Sequence, residues 1–197
     1  MAKNDIKVWQ SPMGGVPNKR HFPMKASETF FEGEVVGVDA DGNLSESLET
    51  GPLPADIMGI ALGGPGASNT NPKTGVAWAT GDMIPVAIPD SQTSFITQRY
   101  TQGTAFDDVA PAVAIIGDVA GLVRISGIWG LDQGQDANEG VARIVDILNQ
   151  RKESILDTGE TLALTSVSGN PYYVVFQIIA HASTPDSAEA PAPLAAA

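Results

Sequence analysis

From Phe30 onward, short runs of apolar and β-branched residues alternate with polar, glycine-rich punctuation. One phrase recurs: a glycine, an acid, then strand-forming residues. It occurs as Gly33-Glu34-Val35-Val36, Gly81-Asp82-Met83-Ile84, Gly117-Asp118-Val119 and Gly159-Glu160-Thr161-Leu162. Glycine supplies the positive φ of a turn, the acid stays in water, and the residues after it suit a pleated, half-buried surface. The pattern predicts strands at Glu34–Val38, Ile57–Leu62, Gly75–Ala79, Met83–Ile88, Val113–Ile116, Leu122–Ile128, Thr161–Ser166 and Tyr172–Ala182. Asp39-Ala40-Asp41-Gly42-Asn43 reads as a hairpin turn between Val35–Val38 and Leu44. Gly63 to Gly75 reads as a long polar loop. Pro85 and Pro89 sit in or beside the fourth run, which predicts an edge or bulged strand, because proline donates nothing to a ladder.

One segment departs from this pattern. In Asn138 to Ile155, the apolar residues Val141, Ile144, Val145, Leu148 and Ile155 fall at helical spacing. Arg143, Asp146, Gln150 and Glu153 fall mostly opposite them. With Asn138 as a cap and Glu139 in the first turn, an amphipathic helix over 139–153 is expected, its apolar stripe packed on a sheet.

The ends differ from the middle. Residues 1–27 carry Trp9, Pro12, Gly14-Gly15, Pro17 and Pro23 and sustain neither period, so they read as an extended arm. The last residues, 184–197, are rich in Ala and Pro and read as a tail. Between them lies a β-rich body, 28–183, with two candidate lobes at 28–130 and 131–183.

Charge sharpens this division. The arm holds Lys3, Lys7, Lys19, Arg20 and Lys25 against Asp5, a net of +4, which leaves −16 on the other 170 residues of a chain whose total is −12. An acidic body repels phosphate, so nucleic acid is not an expected partner. A basic, Trp-bearing arm suits an acidic protein surface, and tryptophan is favoured where an anchor fills a pocket. Lys3, Lys7, Trp9, Lys19, Arg20 and Lys25 are therefore the candidate partner-binding residues. No apolar run is long enough to span a bilayer, and the N-terminus lacks the apolar core of a signal peptide, so no membrane is expected and a cytoplasmic origin is. There is no cysteine, which removes disulfides and thiol chemistry.

Sites of chemistry are hard to find. The two histidines, His21 and His181, lie 160 residues apart and nothing couples them. The Gly-x-Ser-x-Gly elbow is absent. Asp39-x-Asp41-x-Asn43 spaces oxygens as a calcium loop does, but Gly42 precedes the third oxygen and a plain turn explains all five residues. Gly63-Gly64-Pro65-Gly66 lacks the Gly-Lys-Ser/Thr of a phosphate loop. Trp78 and Trp129 read as core or interface anchors, and are the only candidate pair for stacking a sugar. No enzyme activity, cofactor or metal is expected.

Phe31-Glu32-Gly33-Glu34-Val35-Val36-Gly37-Val38-Asp39-Ala40-Asp41-Gly42 is followed by Ile57-Met58-Gly59-Ile60-Ala61-Leu62, then by Gly75-Val76-Ala77-Trp78-Ala79-Thr80-Gly81-Asp82 and Pro85-Val86. Over roughly residues 30–90 this resembles the capsid decoration, or cement, proteins of tailed phages. The resemblance implies a mainly β fold, with a small β-barrel or β-tulip body and extended arms. It implies a homotrimer on the outer surface of a phage head, partnered by the major capsid protein and holding adjacent capsid subunits together. Such a virion protein is made in the host cytoplasm. The helix at 139–153 and the rest of the chain beyond Ser91 lie outside the resemblance.

Overall fold

The computed structural model describes residues 6–10, 17–46, 52, 56–66, 70–71, 73–90, 92–103, 105–106, 110–135, 140–159 and 172–179. Twelve strands are described. They are β1 (Lys7–Gln10), β2 (Lys19–Pro23), β3 (Val35–Val38), β4 (Leu44–Glu46), β5 (Gly59–Ala61), β6 (Met83–Ala87), β7 (Ser94–Thr97), β8 (Tyr100–Thr101), β9 (Val119–Ile125), β10 (Ile128–Asp132), β11 (Gly140–Leu148) and β12 (Tyr173–Ile178). A single helical turn, α1 (Ile155–Thr158), follows β11.

The protein is mainly β, as expected, but its strands form two sheets rather than one closed barrel; in the smaller sheet the edge strands touch, among the described residues, only at a parallel bridge between Met24, just past β2, and Leu44 of β4. The larger has seven strands in the order β1-β7-β12-β11-β9-β10-β8, and the smaller five in the order β2-β6-β5-β3-β4. Val35, Ile57, Ile60 and Ala87 from the smaller sheet and its flanks share one buried cluster with Phe95, Leu122, Trp129, Ile144 and Phe176 of the larger. The other face of the smaller sheet is buried as well, where Val36, Leu44, Ile84 and Val86 pack with Met24, Phe30 and the half-buried Trp78. Strands buried on both faces lose strict alternation, which is why Val35-Val36 and Gly59-Ile60-Ala61 are apolar without a break.

The largest correction concerns the expected helix. Residues 140–148 are not helical but form β11, the longest strand, paired with β9 on one side and β12 on the other. The ladder to β12 slips between Ile144 and Asp146, leaving Val145 as an extra residue. Such a bulge shifts the in–out parity of a strand by one. Ala142, Ile144 and Ile147 thus face the inter-sheet core, whereas Val145 and Leu148 join Ile96, Val175, Trp9 and Tyr173 in a cluster on the outer face. Apolar residues from two faces of one bulged strand fell at spacings of three and four, and so imitated a helix.

Other boundaries moved for local reasons. Val113–Ile115 is a 3-10 turn, and Gly75–Ala79 contributes only the bridge between Thr70 and Ala77. The single expected run Leu122–Ile128 is the hairpin β9–β10, turned at Ser126 and Gly127, whose φ values of 51° and 79° suit the two-residue loop favoured between right-twisted strands. Pro85 is not at an edge, because β6 lies between β2 and β5. It is tolerated there because its carbonyl accepts from the Leu62 amide at 2.9 Å, just past the end of β5, and its missing N–H falls on that same side. The expected strand at Thr161–Ser166 and the tail from 184 lie outside the described residues. The second candidate lobe supplies β11 and β12, which lie between β7 and β9 of the larger sheet.

Gly63-Gly64-Pro65-Gly66 has a packing explanation. A Cβ on Gly64 would stand 2.5 Å from the Phe30 carbonyl oxygen, and one on Gly66 2.5 Å from that of Thr29. The Gly66 amide donates to the Phe30 carbonyl at 2.9 Å. The glycines let two backbones touch.

Candidate docking surface

Of the N-terminal basic residues, Lys7 lies on one strand and Lys19 and Arg20 on another, each strand at the edge of a sheet. β1 pairs with β7 and borders the seven-stranded sheet; β2 pairs with β6 and borders the five-stranded one. The described strands of the segment read as an extended arm are therefore extended, but along their own protein. Lys7 is exposed on β1, and Lys19, Arg20 and His21 are exposed on β2. Lys25 is exposed beyond β2, with Nζ 3.6 Å from Asp39 Oδ2. Lys3 lies outside the described residues.

Trp9 behaves differently from the expectation that it reaches a partner. It is half-buried against the outer face of the larger sheet, beside Ile96, Leu148 and Val175. Lys152 Nζ stands 5.3 Å from its ring centroid and 5.7 Å from that of Tyr173, a cation between two aromatic faces. Trp9 thus anchors β1 to the body.

A cleft of about 330 Å³ opens between β1 and β5. Lys7, Val8 and Pro17 line it from the N-terminal side, and Glu32, Ile60 and Leu62 from the smaller sheet. Its lining carries one charge of each sign, Lys7 and Glu32.

The motifs considered for chemistry resolve into structure. Asp39 Oδ1 accepts the amides of Asp41 at 3.0 Å and Asn43 at 2.9 Å, closing the turn. The bond from Asn43, opposed by some burial and helped by Asp41 and Lys25, holds the carboxyl below the usual range. One oxygen is thus taken by backbone donors and the other faces the Lys25 ammonium. Asp82 is used alike. Its Oδ2 accepts the Ala79 amide at 2.9 Å, which with Asn71 lowers its pKa. Among the described residues, no three His, Asp or Glu side chains gather as metal ligands do. Trp129 is fully buried in the inter-sheet core, which removes one half of the candidate sugar-stacking pair. His181 lies outside the described residues.

Two features escaped the sequence. One is a polar link at the far end of the larger sheet, where the Tyr100 hydroxyl donates to Gln133 Oε1 at 2.5 Å and Gln133 Nε2 donates to Asp118 Oδ2 at 3.1 Å. The other is an ion network between the sheets. Arg124 of β9 contacts Glu46 of β4 and lies 3.9 Å from Glu34. Neither had a local signal, because the partners are far apart in the chain.

The described residues define a mainly β protein of two facing sheets whose outer strands carry the N-terminal cations. No family model, curated protein or solved structure matches the chain.

Proposed function

We propose that the chain is a structural protein of a phage virion, of the capsid-decoration kind. It binds the outer surface of the head, as a trimer, and stabilises contacts between major capsid subunits. The observation that carries this is the placement of charge. Lys7, Lys19 and Arg20 are exposed on the outermost strands of both sheets, in a chain whose remainder is strongly acidic. Such a molecule is repelled by nucleic acid over most of its surface and is oriented by a local cationic edge toward an acidic protein. The run of glycine-acid turns and short strands over residues 30–90 supports the same assignment through its resemblance to decoration proteins.

The test is co-sedimentation of the full chain with heads assembled without it. Saturable binding in many copies per head is expected, weakening as salt rises because the cations are exposed. The double variant Lys19→Glu/Arg20→Glu is expected to bind about tenfold more weakly, or about 1.4 kcal/mol. A few copies per particle would instead indicate a fibre base or tail component. No binding by the unaltered chain overturns the proposal.

A further inference from the structure

β2 has a hydrogen-bonding pattern that is fixed by its neighbours. His21 lies opposite Pro85, whose carbonyl is turned away to Leu62. In an antiparallel ladder the pairs alternate, so His21 belongs to a pair without ladder bonds and its N–H and C=O point outward. The same parity holds at both ends: the Ile88 amide donates to Asn18 at 2.8 Å and the Met24 amide to Asp82 at 2.8 Å. Residues 18, 20, 22 and 24 therefore face β6, and Lys19, His21 and Pro23 face away from it.

The outward row is short and bounded. Pro23 interrupts it with a residue that has no N–H, beyond it the Lys25 amide is already taken by the Leu44 carbonyl of β4 at 3.0 Å, and Pro17 stands two residues before Lys19. Between the prolines, Lys19 and His21 offer two donors and two acceptors, at the spacing a neighbouring strand uses. Lys19, Arg20 and His21 are all exposed. Because side chains alternate, Lys19 and Arg20 point to opposite faces of the sheet, so the edge is cationic on both.

We infer that the outer edge of β2 accepts a short, acidic, extended segment of a partner protein as an added strand, registered on Lys19 and His21 between the two prolines. Charge selects the occupant. A second copy of β2 would bring its own Lys19 and Arg20 against these, and like charges across a strand pair repel. A strand with two adjacent acids would meet Lys19 on one face and Arg20 on the other. Main-chain bonds would hold such a segment, and the two cations would choose it. This deepens the head-binding reading by naming the partner's chemistry, and rests on that reading only for who the partner is.

The probe is the peptide acetyl-Thr-Val-Glu-Glu-Val-Thr-amide, added to the full chain labelled with nitrogen-15. Amide hydrogen exchange at Lys19 and His21 is expected to slow about tenfold at millimolar peptide, while amides facing β6 keep their rates. A peptide with lysines for the two glutamates is expected to have no effect. The variant His21→Pro removes one outward donor and no ladder bond, so its other resonances should stay in place while the slowing at Lys19 disappears. Should that variant not fold, Lys19→Glu/Arg20→Glu takes its role and is expected to abolish the effect. No slowing by the acidic peptide, equal slowing by the lysine peptide, or undiminished slowing in the variants overturns the inference. Head binding separates the two proposals. If the unaltered chain binds heads and His21→Pro binds them equally, the edge is wrong and the head reading stands. If the peptide registers on β2 but heads are not bound, the reverse holds.

Discussion

Arg124 on β9 reaches from the seven-stranded sheet to Glu34, next to β3 of the five-stranded one, with Nη2 3.9 Å from Oε1. Glu34 is 1% exposed, and the same guanidinium also contacts Glu46 on β4. One cation thus holds two acids of the β3–β4 hairpin against the larger sheet. Removing the cation takes the guanidinium away from a buried acid. Arg124→Met is expected to cost about 3 kcal/mol in urea unfolding, and the double change Arg124→Met/Glu34→Gln appreciably less than the sum of the two single changes. Additive costs would show that the two residues do not act together.

Deletion of residues 1–27 is not a clean removal of a binding arm. Ile6 is 1% exposed in the inter-sheet core, and β1 and β2 each complete a sheet. Ile6→Ala alone is expected to cost about 2–4 kcal/mol by the lost burial and the cavity left behind. The truncation should melt well below the full chain by calorimetry, so surface charge variants are the proper test of docking. A truncation that melts with the full chain would contradict the packing of Ile6.

Lys152 over Trp9 and Tyr173 should fasten β1 to the outer face of the larger sheet. Lys152→Ala is expected to cost about 0.5–1 kcal/mol, since the site is partly solvated. Trp9→Ala should cost more, about 2 kcal/mol, because it also uncovers Ile96, Leu148 and Val175. Both are read from denaturant midpoints at unchanged slope.

Acid stability should depend on two turns. Asp39 and Asp82 have folded-state pKa values below their ordinary 3.8 because backbone amides, from Asn43 and Ala79 respectively, favour the ionised forms. A depressed folded pKa gives stability that is complete above the unfolded value and is lost as pH falls through the folded one. Carbon-detected titration should place both midpoints below 3.8. Asp39→Asn/Asp82→Asn should flatten the fall of unfolding free energy as the pH drops below 3.8. Unchanged steepness would mean that neither turn contributes.

Much of this protein follows from local sequence. The glycine-acid turns and the β-branched runs after them mark β3, β6 and β9, because a positive φ and a pleated apolar surface are demands made within four residues. The Asp39 turn is equally local, since its carboxylate bonds amides two and four residues on. The concentration of cations before residue 27 is plain from composition. Tertiary structure alone decided the rest. Val141, Ile144, Val145 and Leu148 have helical spacing, yet they form a strand because β9 and β12 offer a ladder on either side and a bulge at Val145 reconciles the parity. The basic segment reads as an arm because nothing local says that Ile6 is buried or that Lys19 and His21 lie on the outer edge of a sheet. Which strand is outermost depends on pairing between residues far apart in the chain, as in Lys19 with Ala87, 68 residues on, and the period of a sequence does not record that distance.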